Sequence, residues 1–303
     1  MRVALVGLGK IAQKAYLPVI SRRKDIEVVL CTRNQQTLQD IAREYRFAEM
    51  TADIAHLAAM DIEAAFIHAA TEAHYDIAKT LLKAGIHIFI DKPIAYSYQE
   101  AEELVAIAEK EGRNLMVGFN RRFAPRYKKL QEAGRPDIIL MEKNRYNLPG
   151  EPRFFTFDDF IHVIDTLRFL SPEPYQSYTV DFSLKGGELY HLILRLIGQD
   201  YTAIGIMNRD NGITEEKVEV MYPGRKIIVE GLERIKEFKE QEQFLANPGS
   251  WEPVLTRRGF PQMIDMFINS IREKKKPEPS ARDSLKTHLL CEKIVEEIKD
   301  TIT

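Results

Sequence analysis

The chain opens Met1-Arg2-Val3-Ala4-Leu5-Val6-Gly7-Leu8-Gly9-Lys10-Ile11-Ala12-Gln13-Lys14-Ala15-Tyr16, and this stretch decides the fold. Val3 to Val6 form a continuous apolar run, the pattern of a strand buried on both faces of a parallel sheet. Gly7-Leu8-Gly9-Lys10-Ile11-Ala12 follows at once, in Gly-x-Gly-x-x-Ala spacing. Gly7 allows a tight bend, Gly9 lets the backbone approach a pyrophosphate, and small Ala12 lets the next helix pack closely on the strand. The unpaired N–H groups and positive end of that helix then favour a phosphate. A Gly-rich turn also serves simply to join a strand to a helix. Its position between a buried strand and a helical pattern makes dinucleotide binding the reading, with Gly7, Leu8, Gly9, Lys10 and Ile11 against the cofactor.

Outward from this stretch, helical and strand patterns alternate. Pro18 should kink the first helix. Strands are expected over Ile26 to Cys31, Ala64 to Ala70, His87 to Asp91 and Asn114 to Phe119, with helical spacing before each of the last three. Ser97 and Glu100 stand in capping-box spacing ahead of the apolar stripe Leu104, Val105 and Ala108, with Gly112 as the stop. This is a doubly wound α/β sheet of the Rossmann type. Near Pro125 the pattern changes. After a helical stretch through Ala133, apolar residues alternate with period two at Tyr178, Val180, Phe182 and Leu184, and again at Tyr190, Leu192, Leu194 and Leu196 beyond the Gly186-Gly187 turn. Val218, Val220 and Tyr222 lead to a further turn at Pro223-Gly224. Helical segments over Phe260 to Ile271 and Ala281 to Lys299 close the chain. The reading is therefore a Rossmann domain over 1–123 and an α+β domain over 124–303 with an open, mainly antiparallel sheet. Such a sheet needs cover from helices or from another subunit, so a homodimer or homotetramer is expected.

Composition excludes several classes. A chain of 303 residues can bury two cores. A net charge of -2 provides no global field for nucleic acid or an anionic membrane. Lys274-Lys275-Lys276, just before Pro277, reads as a solvated helix end. Cys31 and Cys291 give neither a disulfide framework nor metal-ligand spacing, so no metal is expected. The chain has no apolar segment of signal-peptide or membrane-span length, and a cytoplasmic protein is expected.

Three stretches carry chemistry. Ile90-Asp91-Lys92-Pro93 ends a strand, which puts Lys92 at the carboxyl edge of the sheet, where this architecture binds ligands. Pro93 restricts the backbone of Lys92 and can form a cis bond. In Phe157 to Asp165 a helical reading places Asp158, His162 and Asp165 on one face. A carboxylate one turn before a histidine orients the ring and raises its proton affinity. The third stretch is Val117-Gly118-Phe119-Asn120-Arg121-Arg122-Phe123-Ala124-Pro125, at the domain junction. The second strand ends Leu30-Cys31-Thr32-Arg33-Asn34, without the carboxylate that accepts a ribose hydroxyl in NAD sites. Thr32 and Arg33 can donate to a 2'-phosphate instead, so NADP is expected over NAD. Lys143 and Arg145, two apart on a strand, point to one face and are candidates for an acidic group on the substrate, against the alternative that they pair within the protein or with a partner subunit.

These stretches together resemble the glucose-fructose oxidoreductase and inositol dehydrogenase family, and within it a bacterial subgroup labelled as oxidoreductases or virulence-factor-like proteins. The resemblance spans nearly the whole chain: GLGKIAQKAYLP, HAATEAHYDIAKTLLKAGIHIFIDKP, MVGFNRRFAP, DDFIHVID and Trp251 to Phe260. It implies a nicotinamide cofactor, with Lys92, Asp158 and His162 as the catalytic set. It also implies that Ala70, Thr71 and His74 lie along the cofactor; Lys92 and Asn120 are further candidates for cofactor contact, and Lys92 and His162 for the substrate. One departure stands out: the family has Glu-Lys-Pro where this chain has Asp91-Lys92-Pro93, which leaves the contact of the shorter carboxylate open. The function expected is hydride transfer between NADP and a secondary alcohol or carbonyl of a sugar-like small molecule. The alternative is a catalytically silent NADP(H) sensor on the same fold.

Overall fold

The computed structural model describes residues 1–301. It contains two compact units, one of Met1–Gly118 with Met263–Lys286, the other of Phe119–Gln262 with the chain from Thr287 onward. A single boundary near residue 123 does not anticipate that 263–286 belong with the first unit. Amphipathic periodicity says that a helix has a core face, not which core it faces.

The first unit holds β1 (Arg2–Val6), α1 (Leu17–Ile20), β2 (Glu27–Cys31), α2 (Gln35–Tyr45), β3 (Glu49–Thr51), α3 (Ile54–Ala59), β4 (Ala64–Ile67), α4 (His74–Lys83), β5 (His87–Ile90), α5 (Tyr98–Lys110) and β6 (Leu115–Val117). The six strands are parallel in the order β3-β2-β1-β4-β5-β6. β1 is therefore the switch strand, with β2 on one side and β4 on the other, and ligands bind at the carboxyl end of such a strand. The three-residue β3 escapes sequence reading because Glu-Met-Thr carries no apolar alternation. Between Ala12 and Tyr16 the helix widens to a π-type turn, immediately before α1, in which Pro18 is the second residue. Proline has no N–H to give the ladder, and the wider turn is how the helix takes it in. Asn34, Asp53 and Ser97 cap α2, α3 and α5, each accepting a backbone N–H on its side chain.

The second unit holds α6 (Pro125–Glu132), β7 (Ile138–Asn144), α7 (Pro152–Phe154), α8 (Ile161–Leu170), β8 (Ser177–Lys185), β9 (Glu188–Ile197), β10 (Thr202–Asn208), β11 (Glu215–Tyr222), β12 (Arg225–Glu230), β13 (Arg234–Lys239), β14 (Glu242–Ala246) and α9 (Val254–Arg257). Its sheet runs β14-β13-β12-β11-β7-β10-β9-β8, antiparallel throughout except for the parallel pair β7 and β10. The fold class read from sequence, a parallel Rossmann sheet plus a mainly antiparallel one, is the observed one. Two further helices, α10 (Phe260–Arg272) and α11 (Ala281–Asp300), complete the chain.

One glycine positions the helix that carries His162. Gly205 on β10 stands in register with Leu194 and Met141, on the buried face. A Cβ built there would lie 2.4 Å from Val163 Cγ1 and 2.9 Å from Leu167 Cδ1, both on α8. The helix thus rests directly on strand backbone. We expect Gly205→Val to lower the unfolding free energy by about 1–3 kcal/mol or more through overpacking. Urea midpoints would register this, and an unchanged midpoint would mean that α8 has room to move.

Candidate active site

In the first unit the carboxyl edge of the sheet gathers most of the expected cofactor residues. Gly7 has φ +83° and its N–H donates to Cys31 O at 2.9 Å, so the turn is tied to the end of β2. A Cβ on Gly7 would come within 2.4 Å of the Ala69 nitrogen; a Cβ on Gly9 would meet nothing within 4 Å. Gly7 is therefore a glycine because the β4 exit crosses it. Gly9 leaves bare backbone facing open space, the cradle that a pyrophosphate needs. The residues present fit a dinucleotide. Leu8 is buried, Lys10 and Ile11 are exposed beside the turn, and Ala70 and half-buried Thr71 follow Ala69 on the same edge. Thr32 is half-buried and Arg33 exposed, with no ion pair to Arg33 among the described residues. Sequence reading within Leu30 to Asn34 missed one nearby carboxylate. Asp53, delivered by the neighbouring strand β3, acts electrostatically on Cys31, while its Oδ1 accepts the Ala55 N–H at 2.8 Å.

Lys92 sits at the same edge, half-buried, and the Lys92-Pro93 bond is cis. The contact left open by the short carboxylate is resolved: Tyr16 Oη donates to Asp91 Oδ1 at 2.9 Å. Gly118 makes room for the pair, since a Cβ there would lie 2.9 Å from Asp91 Oδ1 and 3.0 Å from Tyr16 Oη. Desolvation pushes the Asp91 carboxyl up from the ordinary carboxylate range, against the pull of Lys92.

His74, expected along the cofactor, is instead a buried strut. Its Nδ1 lies 2.9 Å from Pro93 O and its Nε2 3.0 Å from Ala69 O, so the ring bridges the two loops that carry Lys92 and Ala70. Both partners are carbonyls, which only accept, and a neutral imidazole has one N–H to give. Burial lowers its pKa while the two carbonyls raise it. Beside it, His68 lies with its ring centroid 3.8 Å from that of Tyr16, and neither of its ring nitrogens has a hydrogen-bond partner among the described residues. Burial, and then the neighbouring His74, push its pKa down to about 3.

In the second unit Asp158 lies in a π-type turn, Phe155–Phe160, that runs directly into α8 carrying His162 and Asp165. Both Asp158 and His162 are half-buried. Arg122 grips Asp165 with two bonds of 2.8 and 2.7 Å, and Thr287 Oγ1 donates to it at 3.1 Å. Asp159, adjacent in sequence to Asp158, collects three cations. Lys143 Nζ donates to it, Arg145 holds both its oxygens at 2.7 and 2.8 Å, and Arg209 Nη2 lies 3.2 Å away. Of the two readings of Lys143 and Arg145, the structure shows pairing within the protein rather than a free grip for a substrate acid: the same-face spacing holds, Asp159 takes both charges, and Lys143 is only 1% exposed. Burial lowers Lys143 to about 8 in spite of its partner. Asp159 shows the opposite balance, its cations holding the carboxyl well below the usual range although burial acts to raise it. A second ion pair, bidentate between Arg121 and Glu216, receives Tyr127 Oη at 3.0 Å. Asn120, expected at the cofactor, is also internal: its Nδ2 donates to Arg258 O at 2.8 Å, and its own carbonyl closes on Gly259, where a Cβ would lie at 2.5 Å. Tyr16, Arg209 and Glu216 were not foreseen, since nothing local in their sequence announces partners so far along the chain.

A glycine turn on the switch strand of a parallel sheet, a lysine on the same edge and a mainly antiparallel second unit define a dinucleotide-binding oxidoreductase. Residues 1–119 match the family described as Oxidoreductase family, NAD-binding Rossmann fold, and residues 125–241 match YceM-like, C-terminal domain. The protein YceM of Salmonella typhimurium is 30% identical over 310 residues, covering 100% of this chain and 99% of that one. Inositol 2-dehydrogenase of the same organism is 26% identical over 198 residues, 60% of this chain and 58% of its own. The crystal structure of a Gfo/Idh/MocA family oxidoreductase from Vibrio cholerae matches with a TM-score of 0.94 at 34% identity, covering 100% of this chain and 99% of that one. The chain belongs to the Gfo/Idh/MocA family of oxidoreductases.

The buried neutral His68 makes stability depend on pH. Its folded pKa, about 3, lies below the 6.5 of the free side chain, so between these values the unfolded chain binds a proton that the folded one refuses. Stability from this group is fully present above pH 6.5 and falls by about 1.4 kcal/mol per pH unit as the pH drops toward 3. His68→Phe keeps the ring against Tyr16 and should flatten that slope; equal slopes in urea titrations of both proteins between pH 6 and 4.5 would contradict it.

Proposed function

We propose that the protein is an NADP-dependent dehydrogenase or reductase of a sugar-like small molecule, interconverting a secondary alcohol and its carbonyl. The carrying observation is the composition of the carboxyl edge: an open Gly9 cradle, an exposed Arg33 with no carboxylate partner among the described residues at the end of β2, and Lys92 at the end of β5. Arg33 can grip a 2'-phosphate with a charged fork, and Thr32 can donate beside it. The name of the related inositol 2-dehydrogenase supports a polyol or sugar as the substrate class.

When bound, the nicotinamide supplies or accepts the hydride. The protein's own task is to hold the substrate and to manage one proton. Lys92 binds and polarises the substrate oxygen, and His162, oriented by Asp158, exchanges the proton. In the oxidative direction the O–H proton of the substrate alcohol passes to His162 as the alcohol becomes a carbonyl.

Two expectations test this. Arg33→Ala should weaken NADPH by about tenfold or more while leaving NADH nearly unchanged, as loss of a charge-assisted fork to phosphate requires. Fluorescence titration of both cofactors decides it, and equal affinities in the parent protein would overturn the preference. Separately, on a substrate found by screening polyols and sugars for NADPH formation, Lys92→Ala and His162→Ala should each cut kcat by about a hundredfold or more with NADPH affinity retained. Tight NADPH binding without turnover of any panel member would favour a sensor instead.

A further inference from the structure

The parallel sheet of the first unit also has an amino edge, opposite the one that carries the glycine turn. β5 and β6 begin there, at His87 and Leu115, and a pocket of about 710 Å3 opens beside them. Its floor includes Val105, Ala108, Leu115 and Ile271; its cationic lining is Arg113, Lys274, Lys275, Lys276 and Arg282. The size is that of a small-molecule site, with an apolar floor and a few convergent polar groups.

The charge balance on this pocket is lopsided. Arg282 lies across the Glu109 carboxylate and Lys275 pairs with Glu273 at 2.9 Å, which occupies two of the five cations. Arg113, Lys274 and Lys276 make no ion pair among the described residues, and Glu109 is the one carboxylate of the lining. The effect reaches His87, which accepts the Asn114 N–H at 2.9 Å: burial, and then the Arg113 guanidinium, hold its pKa below the ordinary value. Residues Ser280 and Ala281, at the start of the twenty-residue α11, also line the pocket and add the positive end of a helix. The lysine run read from sequence as a solvated helix end therefore borders a concave, positively charged surface. A cleft lined by one sign of charge over low-dielectric walls concentrates the opposite ion.

We propose that this pocket is a second ligand site, for a small organic polyanion carrying two or more phosphate or carboxylate groups on a short carbon skeleton. The unpaired cations would take the anionic groups and the apolar floor the skeleton. The site is separate from the nucleotide edge and does not depend on the cofactor preference proposed above. β5 joins the two edges: it leaves the pocket at His87 and ends at Ile90, next to Asp91 and Lys92.

Isothermal titration of the full-length protein with fructose 1,6-bisphosphate and with citrate, at fixed ionic strength and with sorbitol as the neutral control, tests the site. Saturable binding of at least one anion and none of sorbitol is expected, and the two probes separate a phosphate preference from a carboxylate one. Binding should persist with saturating NADPH, since a probe held at the glycine turn would be displaced. The triple variant Arg113→Gln, Lys274→Gln, Lys276→Gln should lose about tenfold or more in affinity, whereas the equally discharged Lys24→Gln, Lys83→Gln, Lys129→Gln should not. In an NMR titration the anion should raise the His87 pKa, because it offsets Arg113. Absence of saturable binding, displacement by NADPH, equal losses in the two triple variants or an unmoved His87 would overturn the proposal.

Discussion

The carboxyl edge of the first unit depends on one close approach of backbone to backbone. The Ala69 peptide occupies the place where a side chain on Gly7 would stand, and Gly7 meets it with a positive φ that other residues adopt only under strain. Because the β4 exit is drawn over the β1 exit, His68 is laid against Tyr16 and Ala69 O is brought to His74. The other nitrogen of that ring then holds Pro93 O, so the loop carrying Lys92 is referenced to the glycine turn through a single buried imidazole. Tyr16 adds a second reference, from the first helical segment to Asp91 beside the same lysine. The turn that would hold the phosphates and the lysine that would meet the substrate are thus parts of one packed assembly.

In the second unit, buried charge holds the turn that carries Asp158. Three cations around Asp159 and a bidentate Arg121–Glu216 pair are largely buried. Desolvation of such groups is expensive, and only complete, well-aligned pairing offsets it. Lys143 illustrates the balance, since its carboxylate partner does not restore an ordinary lysine pKa against burial. Such networks fix one arrangement of their elements; here the turn Phe155–Phe160, which carries Asp158, is tied through Asp159 to β7 by Lys143 and to the segment that follows it by Arg145.

What sequence made legible were features whose cause is local. The strand–turn–helix at Gly7, the Ser97 cap, the hairpin at Gly186-Gly187 and the alternation along β9 each follow from residues a few positions apart. The pieces that escaped have causes distant along the chain. β3 is paired in the sheet without carrying a pattern of its own, His74 joins two loops nineteen and five residues away, and residues 263–286 return to the first unit. Sequence reading places His74 and Asn120 along the cofactor, and the structure shows each bonded to backbone carbonyls; resemblance of motif carries no information on whether a polar side chain faces a ligand or the protein's own carbonyls.

The two basic stretches singled out from sequence differ in what the fold brings to them. Lys143 and Arg145 align on one strand face, open either to a substrate acid or to a partner within the protein; Lys274 to Lys276 read as a solvated helix end. Periodicity and composition assign a side chain to a face or to the surface, and they stop there. Whether a cation is spent depends on what a separate element brings to that face. A carboxylate, Asp159, arrives over the first pair, 16 and 14 residues on. Around the second, the helix α5 contributes Glu109, which Arg282 engages, and an apolar wall, leaving Lys274 and Lys276 without an ion pair among the described residues. Charge left unpaired at a concave wall is therefore the more informative signal of a ligand than charge correctly aligned on a strand.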